Sequence, residues 1–340
     1  MPTSKIIGIK GTGVYYPNKK VKVETLVREF DVENLKIIKD HGINEIHTSN
    51  PRETEFFMAK QAVLDSLKNS NLTPDKIDLM IYCRGLKKRV SPRNFSSRII
   101  KEIDADNAYG FDIDSGFLGG LIGIHVGNEI LANSFYLKNA LVVASQEFDE
   151  MYLFGSGSRI NQMIFGDGAA SVILTRDTKN NKILESNFII DHYTNFIDEL
   201  IQDELKDKSF FNKLFNLEFL SRVKKIYGVN LISTLTQRWV DNSCKVIKSS
   251  LDSLNLDIKD INHVIKSQLS LRETACLARK LDISPERIYN SSYEKGHLGH
   301  ADILSNLHIA MEKTKFKNLD IIVVLASNYD CSSGAVIIRR

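Results

Sequence analysis

The run Gly110-Phe111-Asp112-Ile113-Asp114-Ser115-Gly116-Phe117-Leu118-Gly119-Gly120 holds the residues best placed for chemistry in this chain. Residues 109–113 are aromatic and β-branched, the pattern of a short buried strand. Gly116, Gly119 and Gly120 permit close backbone approach where a helix begins. Ile122, Val126, Ile130 and Leu131 then follow at helical spacing. A side chain at such a strand-to-helix junction faces the positive end of the helix dipole, where a nucleophile or an oxyanion is favoured. Other chemistries find less support. Cys83, Cys244, Cys276 and Cys331 lie far apart with no C-x-x-C pair, which argues against a zinc site or disulfide scaffold and for a reducing compartment. Each reads as a small buried hydrophobe. Gly11-Thr12-Gly13 lacks the third glycine of a dinucleotide fingerprint, and no redox cofactor or metal is expected.

The 45 basic and 42 acidic residues nearly cancel, for a net charge of +3. That balance gives no argument for nucleic acid or an anionic membrane, and Lys87-Lys88-Arg89 reads as solvated loop. No segment approaches the ~20 apolar residues of a membrane span. The apolar run in residues 1–16 is too short for a signal peptide. The expected location is the cytoplasm. At 340 residues the chain can bury a large core.

The elements that must position the junction recur. Residues 6–16 read as a strand closed by Pro17-Asn18. Residues 56–67 read as an amphipathic helix with Phe56, Ala59, Val63, Leu64 and Leu67 on one face. Strands are expected at 77–83, 140–144 and 172–175, and helices at 94–103 and 303–311. Ala62-Val63-Leu64-Asp65-Ser66-Leu67, followed by Asn71-Leu72 and a strand, is echoed by Ser249-Ser250-Leu251-Asp252-Ser253-Leu254, followed by Asn255-Leu256 and His263-Val264-Ile265. The strands at 141–145 and 169–175 are likewise echoed at 322–327 and 333–338. Two such pairs in one order predict a duplicated α/β fold. The division expected is 1–175, an inserted cap or lobe at 176–230, and 231–340. His192, within the lobe, reads as a surface residue.

These features together resemble the ketoacyl-acyl carrier protein synthase III branch of the thiolase superfamily over nearly the whole chain. The resemblance rests on residues 7–17, on Gly42-Ile43 with an acidic residue following, and on Phe111-Asp112-Ile113. It also rests on Phe165-Gly166-Asp167-Gly168-Ala169-Ala170, the most specific motif, and on Ser333-Gly334-Ala335. It implies a thiolase fold, five layers αβαβα from two duplicated halves. It further implies a dimer packed through central strands, a structural role for the Phe-Gly-Asp-Gly segment, and acyl thioesters of acyl carrier protein or coenzyme A as substrates.

The resemblance also implies a cysteine nucleophile at the helix start, assisted by a histidine and an asparagine. This chain departs at each point. A gapless frame from Phe111 puts Phe117 at the nucleophile position, and a benzyl group cannot form an acyl-enzyme. A second frame puts Asp114 there with Ser115 beside it. Ser115 is the nearest hydroxyl, open to acylation if a base reached it; its plainer reading is a helix N-cap. Ser267, in Ser267-Gln268-Leu269-Ser270, stands at the histidine position, and His297 replaces the asparagine. A branch of acyltransferases that acylate hydroxyls or other nucleophiles is similar here, with a histidine and a following aspartate. By that likeness His297 would be general base and Asp302 would fix its tautomer. Asp302 also reads as a helix cap, and His300 as a surface residue. Two functions follow. One is an acyltransferase in fatty-acid-like or secondary-metabolite biosynthesis, with backbone amides near Phe117 holding the oxyanion. The other is a catalytically inactive subunit paired with a cysteine-bearing homologue. The dimer would be homodimeric in the first case and heterodimeric in the second.

Overall fold

The computed structural model describes residues 6–29, 39–84, 94–148, 163–176, 178–191, 221, 224–225, 230–267 and 270–340. His192 and Lys87-Lys88-Arg89 lie outside them. In chain order the strands are β1 (Ile7–Tyr15), β2 (Lys19–Lys22), β3 (Glu45–Thr48), β4 (Leu79–Arg84), β5 (Tyr109–Asp114), β6 (Asn139–Gln146), β7 (Gly168–Arg176), β8 (Lys182–Ile189), β9 (Ile261–Lys266), β10 (Ile288–Tyr289), β11 (Ile321–Ser327) and β12 (Ser333–Arg339). The helices are α1 (Val23–Glu29), α2 (Glu55–Ser70), α3 (Phe95–Glu102), α4 (Gly119–Asn133), α5 (Leu231–Asp252), α6 (Leu271–Leu281) and α7 (Asp302–Lys313).

The duplication seen in the sequence is exact in strand order. One half runs β5-β4-β6-β7-β1 and the other β10-β9-β11-β12-β8. In each, the two outermost pairs are parallel and the two innermost antiparallel. The halves join through one antiparallel bridge, Gly8 opposite Lys182. Helices α2, α3 and α4 in the first half occupy the same places between strands as α5, α6 and α7 in the second.

β4, β6, β7, β11 and β12 are buried on both faces, and strict alternation divides their side chains between layers. Leu79, Ile81 and Cys83 of β4 join a central core with Leu121 and Ile124 of α4 and Ile303, Leu304 and Leu307 of α7. Met80 and Tyr82 face the other way, to Phe56 and Val63 of α2 and Ile99 of α3. The second half repeats this, with Val323 and Leu325 of β11 against Val246, Ile247 and Leu251 of α5 and Leu277 of α6. The result is the αβαβα stack of the thiolase fold, with α4 and α7 as the middle layer.

One expected boundary moves. Lys182–Ile189, placed in an inserted lobe from the sequence, is β8, an inner strand paired with β12 along most of its length. Nearly all of its residues, Lys182 and Glu185 among them, lie half-buried, so the segment shows no apolar run in the sequence.

Candidate active site

The junction after β5 forms a short turn of 3-10 helix, Gly116–Leu118, that runs directly into α4. Gly116 takes φ +55°, a conformation that excludes most side chains. Phe117 is the side chain at the helix start. It is buried, its ring centroid 5.0 Å from that of His297, 6.0 Å from Phe165 and 6.4 Å from Tyr329. Asp114 instead closes β5 on its exposed side. Ser115 stands where an N-cap would, yet its side chain makes no capping bond. The Phe117 N–H donates to the side-chain oxygen of Asn328 at 3.2 Å. Asn328 therefore performs the capping expected of Ser115, across more than two hundred residues of sequence.

His297 is brought to Phe117 by the Phe-Gly-Asp-Gly segment. Phe165 and His297 form a parallel bridge. His297 N–H donates to Ile164 carbonyl at 2.8 Å, and Gly166 N–H to His297 carbonyl at 3.1 Å. A Cβ on Gly166 would stand 2.1 Å from the Lys295 carbonyl, so only glycine permits this approach. Asp167 accepts the backbone N–H groups of Ser49 and Phe148, each at 2.7 Å. Phe148 then stacks on Phe165 at 4.5 Å. The motif thus ties three loops under the His297 ring.

The His297 imidazole is buried. Its Nδ1 accepts the Gly299 N–H at 2.9 Å, and its Nε2 has no hydrogen-bond partner among the described residues. Burial pushes its pKa down to about 4, against the opposing pull of Asp302. A neutral ring whose Nδ1 accepts carries its proton on Nε2. His297 therefore offers a donor to the site and no basic lone pair.

Asp302 does not fix this tautomer. Its carboxylate takes Lys295 Nζ at 2.6 Å, Leu298 N–H at 3.2 Å, Asn306 Nδ2 at 3.1 Å and the Ser292 hydroxyl at 3.1 Å. Both partners of the Lys295–Asp302 pair are buried. Burial opposes the charge on Asp302, but Lys295 holds its pKa below the usual carboxylate range. Asp302 is the first residue of α7 and clamps the turn 292–298 that presents His297. His300, read as a surface residue, is fully buried between the N-termini of α4 and α7. Among the described residues neither ring nitrogen has a hydrogen-bond partner; burial takes its pKa to about 4, against the opposing pull of the nearby Ser145 backbone. The turn Gly299–Ala301 repeats Gly116–Leu118 in the other half, and His300 is the counterpart of Phe117.

Ser267 follows β9, with its N–H on Leu325 carbonyl at 3.0 Å. It is buried, and its hydroxyl has no partner among the described residues. Gln268 and Leu269 lie outside those residues. Among the described residues His297 makes no hydrogen bond to Ser115. Outside the core, a groove of about 790 Å³ is lined by Lys22, Val23, Val27, Arg28, Lys39 and Ile43 among others. Val23 and Ile43 belong to the same apolar cluster as Phe117 and Phe165. Among the described residues no group of side chains could hold a metal ion, and no helix is long and apolar enough to cross a membrane.

The structure brings Phe117 and His297 together and sets Asp302 on Lys295, apart from the His297 ring; the sequence does not single out Asn328 or Lys295. Neither carries a local signal, since an asparagine in a turn and a lysine before glycine are ordinary surface residues.

A duplicated αβαβα stack with a helix-start side chain facing an imidazole from the other half defines a thiolase-fold protein. Profiles for "3-Oxoacyl-[acyl-carrier-protein (ACP)] synthase III" and its C-terminal region match residues 111–192 and 251–340, and the chain belongs to that family. It is 25% identical over 331 residues to β-ketoacyl-[acyl-carrier-protein] synthase III of Aquifex aeolicus, covering 97% of this chain and 98% of that one. The Clostridium botulinum (strain Okra) enzyme of the same name is 26% identical over 339 residues, with 98% of each covered. The crystal structure of the Aquifex aeolicus protein superposes with a TM-score of 0.80 at 24% identity, over 98% of this chain and 100% of that one. A priming β-ketosynthase from a polyketide biosynthetic pathway gives 0.81 at 18% identity, over 100% and 97%.

Proposed function

We propose that this chain works in acyl-thioester transfer, on thioesters of acyl carrier protein or coenzyme A, as a member that does not itself carry the acyl group. The observation behind this is the Phe117 ring at the helix start, packed against His297, Phe165 and Tyr329. A hydrocarbon ring there offers no nucleophile, and among the described residues His297 makes no hydrogen bond to Ser115. The role that fits is the inactive subunit of a heterodimer, which completes a cysteine-bearing homologue and shapes its pocket. The preserved core favours this: among the described residues the middle layer and the five strands of each half are in place, while a phenylalanine stands at the nucleophile position. The central strands β1 and β8, expected to pack the dimer, are each paired on both sides within the chain, so the edge strand β5, paired with β4, is the candidate for the interface.

A second reading, direct transfer of an acyl group to an acceptor, is favoured by one observation, the unpartnered Nε2 of His297. In that reading His297 polarises a carbonyl through Nε2–H. Acting as base with Asp302 would require the ring to leave the Gly299 N–H.

Intact-mass analysis after incubation with acetyl-CoA or an acyl-acyl carrier protein tests the proposal. No covalent adduct is expected, together with co-purification of a cysteine-bearing homologue on expression with its neighbouring genes. A stoichiometric adduct on Ser115 overturns it. Turnover by the chain alone, lost in His297→Ala, would establish direct transfer instead.

A further inference from the structure

The N-terminus of α4 is closed twice, once by a ring and once by a carboxamide. Phe117 removes the nucleophile. Asn328 takes the backbone donor. Its side-chain oxygen accepts the Phe117 N–H, the donor that a helix start would otherwise aim at a developing negative charge. The fit is close: a Cβ on Gly116 would stand 2.8 Å from Asn328 Oδ1 and 2.9 Å from Nδ2, so the carboxamide lies across the Gly116–Phe117 peptide. Asn328 is held there from its own backbone. Its N–H donates to the Ser332 carbonyl at 2.8 Å. Its carbonyl accepts Trp239 Nε1 at 2.8 Å and Cys331 N–H at 3.1 Å. Asn328 is 7% exposed, so water does not compete for its oxygen.

We propose that the Asn328 carboxamide is a resident occupant of the carbonyl-oxygen position at the start of α4. The Phe117–Asn328 pair, not Phe117 alone, then closes this site to acyl transfer. The proposal rests on the reading that the chain does not carry the acyl group, and extends it. Restoring a thiol at residue 117 leaves the site slow, because charge on the tetrahedral oxygen has no backbone donor to receive it. Removing the carboxamide as well supplies that donor.

The test compares Phe117→Cys with Phe117→Cys/Asn328→Ala, using p-nitrophenyl acetate as the probe. This ester has no coenzyme arm, so the outcome does not depend on thioester recognition. In the reaction the new thiolate attacks the ester carbonyl carbon and forms the S–C bond. The C–O bond breaks, p-nitrophenolate departs with the electron pair, and the thiol proton goes to buffer. Wild-type protein supplies the background from the native cysteines, of which Cys83, Cys244 and Cys331 are buried. Acylation at residue 117 is expected at least about 10-fold faster in the double variant, about 1.4 kcal/mol of transition-state stabilisation. Phe117→Cys/Asn328→Asp keeps the acceptor in place and is expected to stay as slow as Phe117→Cys. The chain has one tryptophan, and Trp239 emission reports whether the Asn328 loop is kept. Equal rates in Phe117→Cys and the alanine double variant overturn the proposal. So does equal acceleration by alanine and aspartate, because aspartate keeps an acceptor on the backbone N–H of residue 117. A covalent adduct on wild-type protein with acetyl-CoA is a separate result, and it overturns the functional reading only.

Discussion

The ring of Phe117 lies against the imidazole of His297, centroids 5.0 Å apart and planes inclined at 46°. One residue comes from the start of α4 in the first half and the other from the turn before α7 in the second. Their contact places an apolar ring where the family resemblance calls for a sulfur, and it makes Phe117 part of the packing. Phe117→Ala is expected to cost about 3–5 kcal/mol in urea unfolding, the range for emptying a buried phenylalanine site. Phe117→Leu is expected to cost clearly less. The His297 ring protons should shift in both variants as the neighbouring ring current is lost. A cost below 1 kcal/mol for the alanine would mean the ring is not packed as described.

His297 and His300 both titrate near pH 4 in the folded chain, below the usual histidine value of 6.5. Between about pH 6.5 and pH 4 the unfolded chain therefore binds more protons than the folded one. Stability rises with pH through that window and falls as pH drops through it. Each ring contributes on the order of 3 kcal/mol of lost stability at the acid end. Denaturant midpoints measured from pH 7 to pH 4.5 should fall steadily, and less steeply in His300→Phe. Imidazole resonances for both residues should stay at their neutral positions down to pH 5.5.

Lys295 and Asp302 form an ion pair with almost no solvent contact. Removing one partner strands the other charge, so Asp302→Asn and Lys295→Met are each expected to destabilise by about 3–5 kcal/mol. Lys295→Met/Asp302→Asn, which removes both charges, should cost less than the two single losses added. A double-mutant cycle in guanidinium chloride measures the difference. Additive losses would show that the two side chains act independently.

Gly166 passes so near the Lys295 carbonyl that a methyl group must displace backbone. Gly166→Ala is expected to lose at least 1–3 kcal/mol and to disturb the His297 bridge, whereas Gly168→Ala, with 3.1 Å to its nearest neighbour, should be milder. Thermal melts of the two variants side by side give the comparison.

Much of this molecule is written locally. The junction at Gly116 requires a residue that tolerates positive φ, and the sequence has glycine there. The β4, β6 and β11 strands read as unbroken apolar runs because both their faces are covered, and the echo of residues 62–72 at 249–256 reports two copies of one fold. Phe117 stands out because a ring cannot do what that position offers. What the sequence left open depends on long-range partners. Strand β8 hides behind half-buried charged residues until β12 pairs with it. His300 looks like a surface residue until two helix starts close over it. The choice between base and donor for His297 turns on the Gly299 N–H at Nδ1, and Asp302 is drawn away by Lys295. The N–H of Phe117 is claimed by Asn328 from the far end of the chain. Residue type and spacing set which groups arrive, but a proton's position and a donor's occupancy follow from neighbours that only folding brings within three ångströms.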